Sequence, residues 1–328
     1  MKKSRVGILA RRSLREKILR EEDLQSLKGF AEVSINSEDR DLTEEEAALF
    51  LSGVDAAMSS WGSSRLTPAV LEAATGLKIW VHAAGSVKTK MCPEAWEKGI
   101  ILTSAAAAIA GDVAELTIGF ITIGLRRIIP YMREMAVNEP PDKAASRSLY
   151  RKTVGVISAS HVGRQVMELL KPYNVRILLY DPYVDSDQAK IFGAELVDLD
   201  TMARESDVVT CHAPALEQTY HMFNGTHFKL MKDDAIFVNT SRGDNIDEAA
   251  LIEELENGRL FALLDVSSPE PARPDSSLRR LPNVVLTPHV AGRPSFRLGE
   301  MAVEELRRFS AGEPQMHRVT RDMLDRIA

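Results

Sequence analysis

Along the first hundred residues, short runs of aliphatic and β-branched residues alternate with stretches whose apolar positions recur at helical spacing. RVGILA, AEVSI, VDAAMSS and LKIWVHAAG read as strands, with REKILREEDLQSLKGF, TEEEAALFLSG and TPAVLEAATG as the helices between them. Strand, helix, strand with short connections predicts βαβ units around a parallel sheet. AGDVAELTIGFITIGLRRIIPYMREMA then reads as one long, largely buried helix with Asp112 as its N-cap, and NEPPDKAASRS breaks it. A second series follows: TVGVIS, VRILLYD, AELVDL, DVVTCHA, AIFVNTS, FALLDV and NVVLTPH. These runs are rich in Val, Ile and Leu, as strands covered on both faces are, so the second unit is expected to be doubly wound. After His289 the pattern is helical again (RLGEMAVEELRRFSAG), and a helix too short to be a domain must pack on something already made. It is expected to return to the first unit. The predicted division is therefore 1–108 plus 293–328 around an inserted 109–292.

A chain of 328 residues with 45% apolar and 27% charged positions can bury two cores. A formal charge of −6 opposes the basic face a nucleic-acid binder needs, so no nucleic-acid partner is expected. Cys92 and Cys211 form no disulfide framework and no metal-ligand spacing, which points to reduced thiols in the cytoplasm and no metal site. MKKSRVGILARRS has only a short apolar stretch before two arginines and is not read as a signal peptide. The longest apolar run, Leu116–Leu125, has ten residues. That is short of the roughly 20 needed to span a bilayer, so no membrane partner is expected. No regulatory domain is expected beyond the returning helix.

VGVISASHVGR stands where a strand should turn into a helix. A dinucleotide loop there would carry G-x-G-x-x-G; this chain has Ser158, Ser160 and Gly163 at the three positions. Gly163 keeps the role of close helix–strand packing. The serine hydroxyls can donate to phosphate oxygens, and helix-start N–H groups at His161 and Val162 offer an anion site. Taken alone, the loop is equally an ordinary strand–helix turn with no ligand. Asp181 closes the next strand 23 residues after Ser158. An acidic side chain about 20 residues past the loop suits both ribose hydroxyls of NAD and repels the extra phosphate of NADP.

Arg242, Glu270 and His289 each follow a predicted strand, where open α/β sheets bind ligands. Arginine offers a planar fork for a carboxylate and an adjacent carbonyl oxygen. Histidine can give a proton to that oxygen as hydride arrives, and a neighbouring carboxylate favours the imidazolium and orients it. The set describes hydride transfer coupled to proton transfer on a 2-keto or 2-hydroxy acid.

CHAPALEQTYHMFN, MKDDAIFVNTSRGDNIDEAALIEELENGRL, LDVSSPEP and LPNVVLTPHVAG resemble, in order and spacing, the signature segments of the D-isomer-specific 2-hydroxyacid dehydrogenase family. That group includes phosphoglycerate dehydrogenase, glyoxylate/hydroxypyruvate reductase and formate dehydrogenase. The resemblance runs from about Leu77 to Gly292. It implies a Rossmann cofactor domain inserted into a discontinuous flavodoxin-like substrate domain, with the active site in the cleft between them. It implies Arg242 as substrate anchor, His289 as acid/base and Glu270 as its partner. It further implies NAD contacts from Ser160, His161, Val162, Asp181, Ala213, Thr240, Ser241 and Asp265, the last toward the nicotinamide amide. The long helix implies a twofold homodimer.

The chain departs from that pattern in the loop HAAGSVKTK, which keeps one glycine, Gly85, and has Lys88 near the usual aspartate. Backbone N–H groups of Ser86 and Val87 remain candidate donors to a substrate carboxylate. Ser267 and Ser268 replace bulkier residues and point to a larger pocket. His82, His221, His227 and His317 read as surface or packing residues, His212 as lining the cofactor cleft, and Cys211 as a buried inert thiol. Arg126 and Arg127 read as a helix end. The expected function is NAD-dependent interconversion of a small 2-keto acid and its D-2-hydroxy acid. Its rivals are a nucleotide-responsive regulatory protein with little turnover and an NADP-dependent reductase.

Overall fold

The computed structural model describes residues 3–137 and 143–327. Of the stretch 138–148 read as a helix break, residues 138–142 lie outside the described residues. The chain divides into two compact units, Met1–Ile109 with Arg293–Ala328, and Ala110–Gly292.

In the first unit, β1 (Ser4–Ile8), β2 (Ala31–Ile35), β3 (Ala56–Ser59), β4 (Ile79–His82) and β5 (Ile101–Ser104) form a parallel sheet in the order β2-β1-β3-β4-β5. This is the flavodoxin-like order. The short strand Arg318–Val319 adds an antiparallel edge against β5. β5 was not among the expected strands: IILTS is brief, and its placement comes from pairing Ile101–Ser104 with Ile79–His82. The terminal helix Phe296–Ala311 packs back on this unit as expected. A Cβ at Gly299 would come 1.8 Å from the Ile18 carbonyl oxygen, so only glycine allows the approach. Buried Glu305 accepts the N–H groups of Met316 and His317 at 3.1 and 3.0 Å, tying down the turn into the last strand.

The second unit holds β6 (Thr153–Ile157), β7 (Arg176–Tyr180), β8 (Glu195–Leu196), β9 (Val208–Cys211), β10 (Ile236–Asn239), β11 (Phe261–Leu264) and β12 (Val284–Leu286). All pair in parallel, in the order β8-β7-β6-β9-β10-β11-β12. This is the doubly wound Rossmann order with one strand added, and it reverses direction between β6 and β9. The four residues of β9 and of β10 are buried, which explains their unbroken apolar runs.

Three expectations about the long helix change. It runs Ala106–Leu125, so Asp112 lies inside it rather than capping it. At 20 residues it is long and apolar enough to cross a bilayer by length and composition, unlike the ten-residue run inside it. Its buried residues Ala114, Phe120, Ile121 and Leu125 belong to the core formed with Val154, Val156, Ile236 and Leu263 of the second sheet. It also stops at Arg127, which takes a left-handed φ of 55° before a separate helix, Ile128–Ala136. Arg127 does stand at the helix end, as read, and it is buried there: it is 5% exposed, its guanidinium lies 3.2 Å from the Phe261 ring centroid, and it pairs with Asp234 at 2.9 Å. The aromatic face and the carboxylate offset part of the cost of burying this charge, and burial still lowers the Arg127 pKa from the ordinary arginine value.

His82 and His212 are buried in the two units, and burial lowers each to a pKa of about 3. His82 Nδ1 contacts Ser59 Oγ at 2.8 Å, and His212 Nε2 contacts Thr210 Oγ1 at 2.9 Å. The unfolded chain binds these protons near pH 6.5 and the folded chain does not, so stability falls as pH drops below about 6.5. The expected slope is up to ~1.4 kcal/mol per pH unit for each histidine. Denaturant titrations between pH 7.5 and 5 check this: His212→Gln and His82→Gln should each flatten the slope. An unchanged slope in both would contradict it.

Candidate active site

The loop after β6 keeps the geometry of a dinucleotide turn with different residues. Ser158 sits at φ 77°, where glycine would be expected, and its N–H donates to the Tyr180 carbonyl at 2.7 Å. A left-handed conformation costs a non-glycine residue roughly 1–2 kcal/mol. Contacts with Asp181 offset it: Ala159 N–H and Ser158 Oγ donate to Asp181 Oδ2 at 2.8 and 3.3 Å, and Tyr183 N–H donates to Oδ1 at 2.8 Å. Ser160 caps the helix His161–Leu170, accepting from Gly163 N–H at 3.3 Å and donating to the His212 carbonyl at 2.9 Å. Its proton is spent on the chain, so it is not the phosphate donor the sequence suggested. His161 and Val162, the other two loop residues singled out, form the first turn of the same helix. Gly163 is irreplaceable here, because a Cβ would lie 2.0 Å from the Ser158 carbonyl oxygen.

The Ser160–His212 bond joins the loops after β6 and β9, across the point where the strand order reverses. Ala213 is buried and its carbonyl accepts from Asn245 Nδ2 at 2.7 Å. Thr240 Oγ1 contacts Thr117 Oγ1 at 2.9 Å. Ser241 N–H and Oγ both donate to Asn239 Oδ1, at 3.0 and 2.8 Å, while Asn239 Nδ2 donates to the Arg242 carbonyl at 2.8 Å. Asn239 thus folds the turn that aims Arg242, and Asn245 ties it to the neighbouring loop. Arg242 Nη1 donates to the Ser241 carbonyl at 2.7 Å. Burial lowers the Arg242 pKa from the ordinary arginine value, opposed by the nearby charge of Glu270. Cys211 is fully buried, and burial raises its thiol pKa, which fits the inert reading.

His289 and Glu270 meet directly: His289 Nδ1 lies 2.5 Å from Glu270 Oε1. An ionised carboxylate only accepts, so Nδ1 carries the proton and Nε2 is left for another partner. His289 takes φ 52°, held by Asp265 on both sides. The fully buried Asp265 carboxylate accepts from Thr287 Oγ1 at 2.5 Å and from the N–H groups of Val290 and Ala291 at 2.8 Å each. Its backbone carbonyl accepts His289 N–H at 2.8 Å. The visible task of the Asp265 carboxylate is the support of the His289 turn. Glu270 lies between two cis peptides, Ser268–Pro269 and Glu270–Pro271. Ser268 N–H donates to Glu248 at 2.7 Å, and Ser267 Oγ donates to the Pro269 carbonyl at 2.9 Å. Ser267 and Ser268 thus build the approach to Glu270.

In the first unit, the loop Gly85–Val87 follows β4. Ser104 Oγ donates to the Gly85 carbonyl at 2.7 Å, and Val87 is buried. Ser86 beside it is exposed. Arg242, Glu270 and His289 are brought together in the second unit as the motifs suggested. Asn239, Asn245 and Glu248 were not singled out beforehand. Asn239 stands in VNTSRG just before the predicted anchor, and its amide at a strand end was the one signal available. No group of three or more His, Cys, Asp or Glu side chains that could hold a metal occurs among the described residues.

The family model described as "D-isomer specific 2-hydroxyacid dehydrogenase, NAD binding domain" matches residues 118–291. A D-3-phosphoglycerate dehydrogenase of Methanocaldococcus jannaschii is 33% identical over 301 residues, covering 90% of this chain and 56% of that protein. The chain thus spans little more than half of that relative. A hydroxypyruvate reductase of Thermotoga maritima is 34% identical over 278 residues, covering 83% of this chain and 88% of that protein. A crystal structure of a Pyrococcus horikoshii protein is 28% identical with a TM-score of 0.76, covering 99% of this chain and 97% of that one.

Proposed function

The chain belongs to the D-isomer specific 2-hydroxyacid dehydrogenase family, and on that premise we propose that it reduces a small 2-keto acid to the D-2-hydroxy acid with NADH, and catalyses the reverse. The observation that carries the proposal is the 2.5 Å contact of His289 Nδ1 with Glu270 beside the partly buried Arg242 guanidinium. Only a group combining a carboxylate with an oxygen that gains or loses a proton uses all three.

The second unit is the family's NAD-binding domain, and its residues fit the cofactor. The left-handed turn at Ser158, the close packing at Gly163 and the start of the helix His161–Leu170 form a cradle for a pyrophosphate. Asp181 offers acceptors and no donor to the adenosine ribose. When bound, the nicotinamide supplies or takes up the hydride.

Arg242 holds the substrate carboxylate and carbonyl oxygen through its planar fork, which fixes the carbonyl carbon for attack. His289 Nε2 gives its proton to that oxygen in reduction and takes it back in oxidation, while Glu270 keeps Nδ1 protonated and the ring in place. A cytoplasmic location with reduced Cys92 and Cys211 belongs to the same proposal, as does a twofold homodimer built on the apolar helix Ala106–Leu125 and the exposed Met132 and Met135 beyond it.

Light scattering should give the mass of two chains; a single-chain mass at micromolar concentration would remove the dimer. Purified protein with NADH and a panel of 2-keto acids should oxidise NADH with at least one of them and yield the D-hydroxy acid. Arg242→Ala should lower kcat/KM by about 10²- to 10³-fold, as loss of a charged, bidentate contact does. No oxidation with any keto acid, or an L product, would overturn the proposal.

A further inference from the structure

We propose that Ser158 is a specificity-determining residue for the dinucleotide: with its hydroxyl committed as a donor to Asp181, it presents only lone pairs to the adenosine ribose and so helps set the preference for NAD over NADP. The proposal rests on the second unit being a working NAD site.

A carboxylate has about four lone-pair sites. Asp181 already receives Ala159 N–H, Ser158 Oγ and Tyr183 N–H, at 2.8, 3.3 and 2.8 Å. One site remains, which suits one ribose hydroxyl. The second hydroxyl needs another acceptor, and Ser158 Oγ sits beside the carboxylate with its lone pairs unspent. The left-handed backbone at φ 77° is what turns this side chain toward Asp181.

The same arrangement is hostile to a 2′-phosphate. A phosphate needs donors or cations, and the one proton on Ser158 Oγ points at Asp181. The nearest cation on the loop, Arg164, is committed elsewhere: its Nε donates to the Ala159 carbonyl at 2.7 Å and its guanidinium lies 5.2 Å from the Phe192 ring centroid. Tyr183, Val184 and Asp185 bring no positive charge to the turn after Asp181. Ser158 and Asp181 therefore act as one acceptor-only surface.

Fluorescence titration of NADH and NADPH into the full chain reads this directly, without turnover. Ser158→Ala keeps the Cβ and removes the hydroxyl; it should weaken NADH about three- to tenfold, the worth of one hydrogen bond, while changing NADPH much less. Ser158→Gly should lower the NADH preference similarly, since it too removes the hydroxyl, although it relieves the backbone. In an Asp181→Ala background, Ser158→Ala should no longer change the preference. Equal weakening of both coenzymes by Ser158→Ala, or an undiminished effect in the Asp181→Ala background, would overturn the proposal. So would a wild-type preference in Ser158→Gly. Absence of NADH binding by the wild-type chain would instead overturn the NAD-site reading, and this proposal with it.

Discussion

The buried carboxylate of Asp265 is the constraint on which the candidate chemistry depends. It sits at the end of β11, fully out of water, and spends its acceptor capacity on the turn that follows β12. A buried charge is costly unless hydrogen bonded, and here three donors from Thr287, Val290 and Ala291 supply the bonds. His289 is thereby held in a left-handed backbone conformation that is uncommon outside glycine. The turn so fixed sets the His289 ring against Glu270.

The same logic of spending polar groups internally governs the cofactor loop. Ser160 caps a helix and ties two loops together, Asn239 folds the Arg242 turn, and Asn245 links that turn to Ala213. Each of these polar side chains is bonded within the protein, and Asp181 and Arg242 are themselves held by such bonds, with part of their capacity left for a ligand. Preorganisation of this kind lowers the cost of ordering groups when a ligand arrives.

Much of this was legible in the sequence, for identifiable reasons. The parallel strands β6 to β12 announce themselves as aliphatic runs because both sheet faces are covered. Arg242, Glu270 and His289 stand out because each follows such a run. What was hidden depends on partners distant in sequence. The helix break at Arg127 is made by Asp234 and Phe261, more than a hundred residues away. β5 needed β4 beside it to be recognised, and with it went the true cap of the long helix: Ser104, the last residue of β5, accepts the Ala106 N–H on its Oγ at 3.2 Å, so Asp112 was taken for the cap. The left-handed turn at Ser158 could not be read from a serine, since only the backbone shows that it does a glycine's work.

The central claim is that His289 moves the proton that accompanies hydride transfer. Its most direct test is single-turnover keto-acid reduction in His289→Asn loaded with saturating NADH. The account predicts NADH binding like that of the wild type and hydride transfer slowed by about 10²- to 10⁴-fold, the usual worth of a positioned general acid. Hydride transfer within a few-fold of the wild-type rate would contradict it.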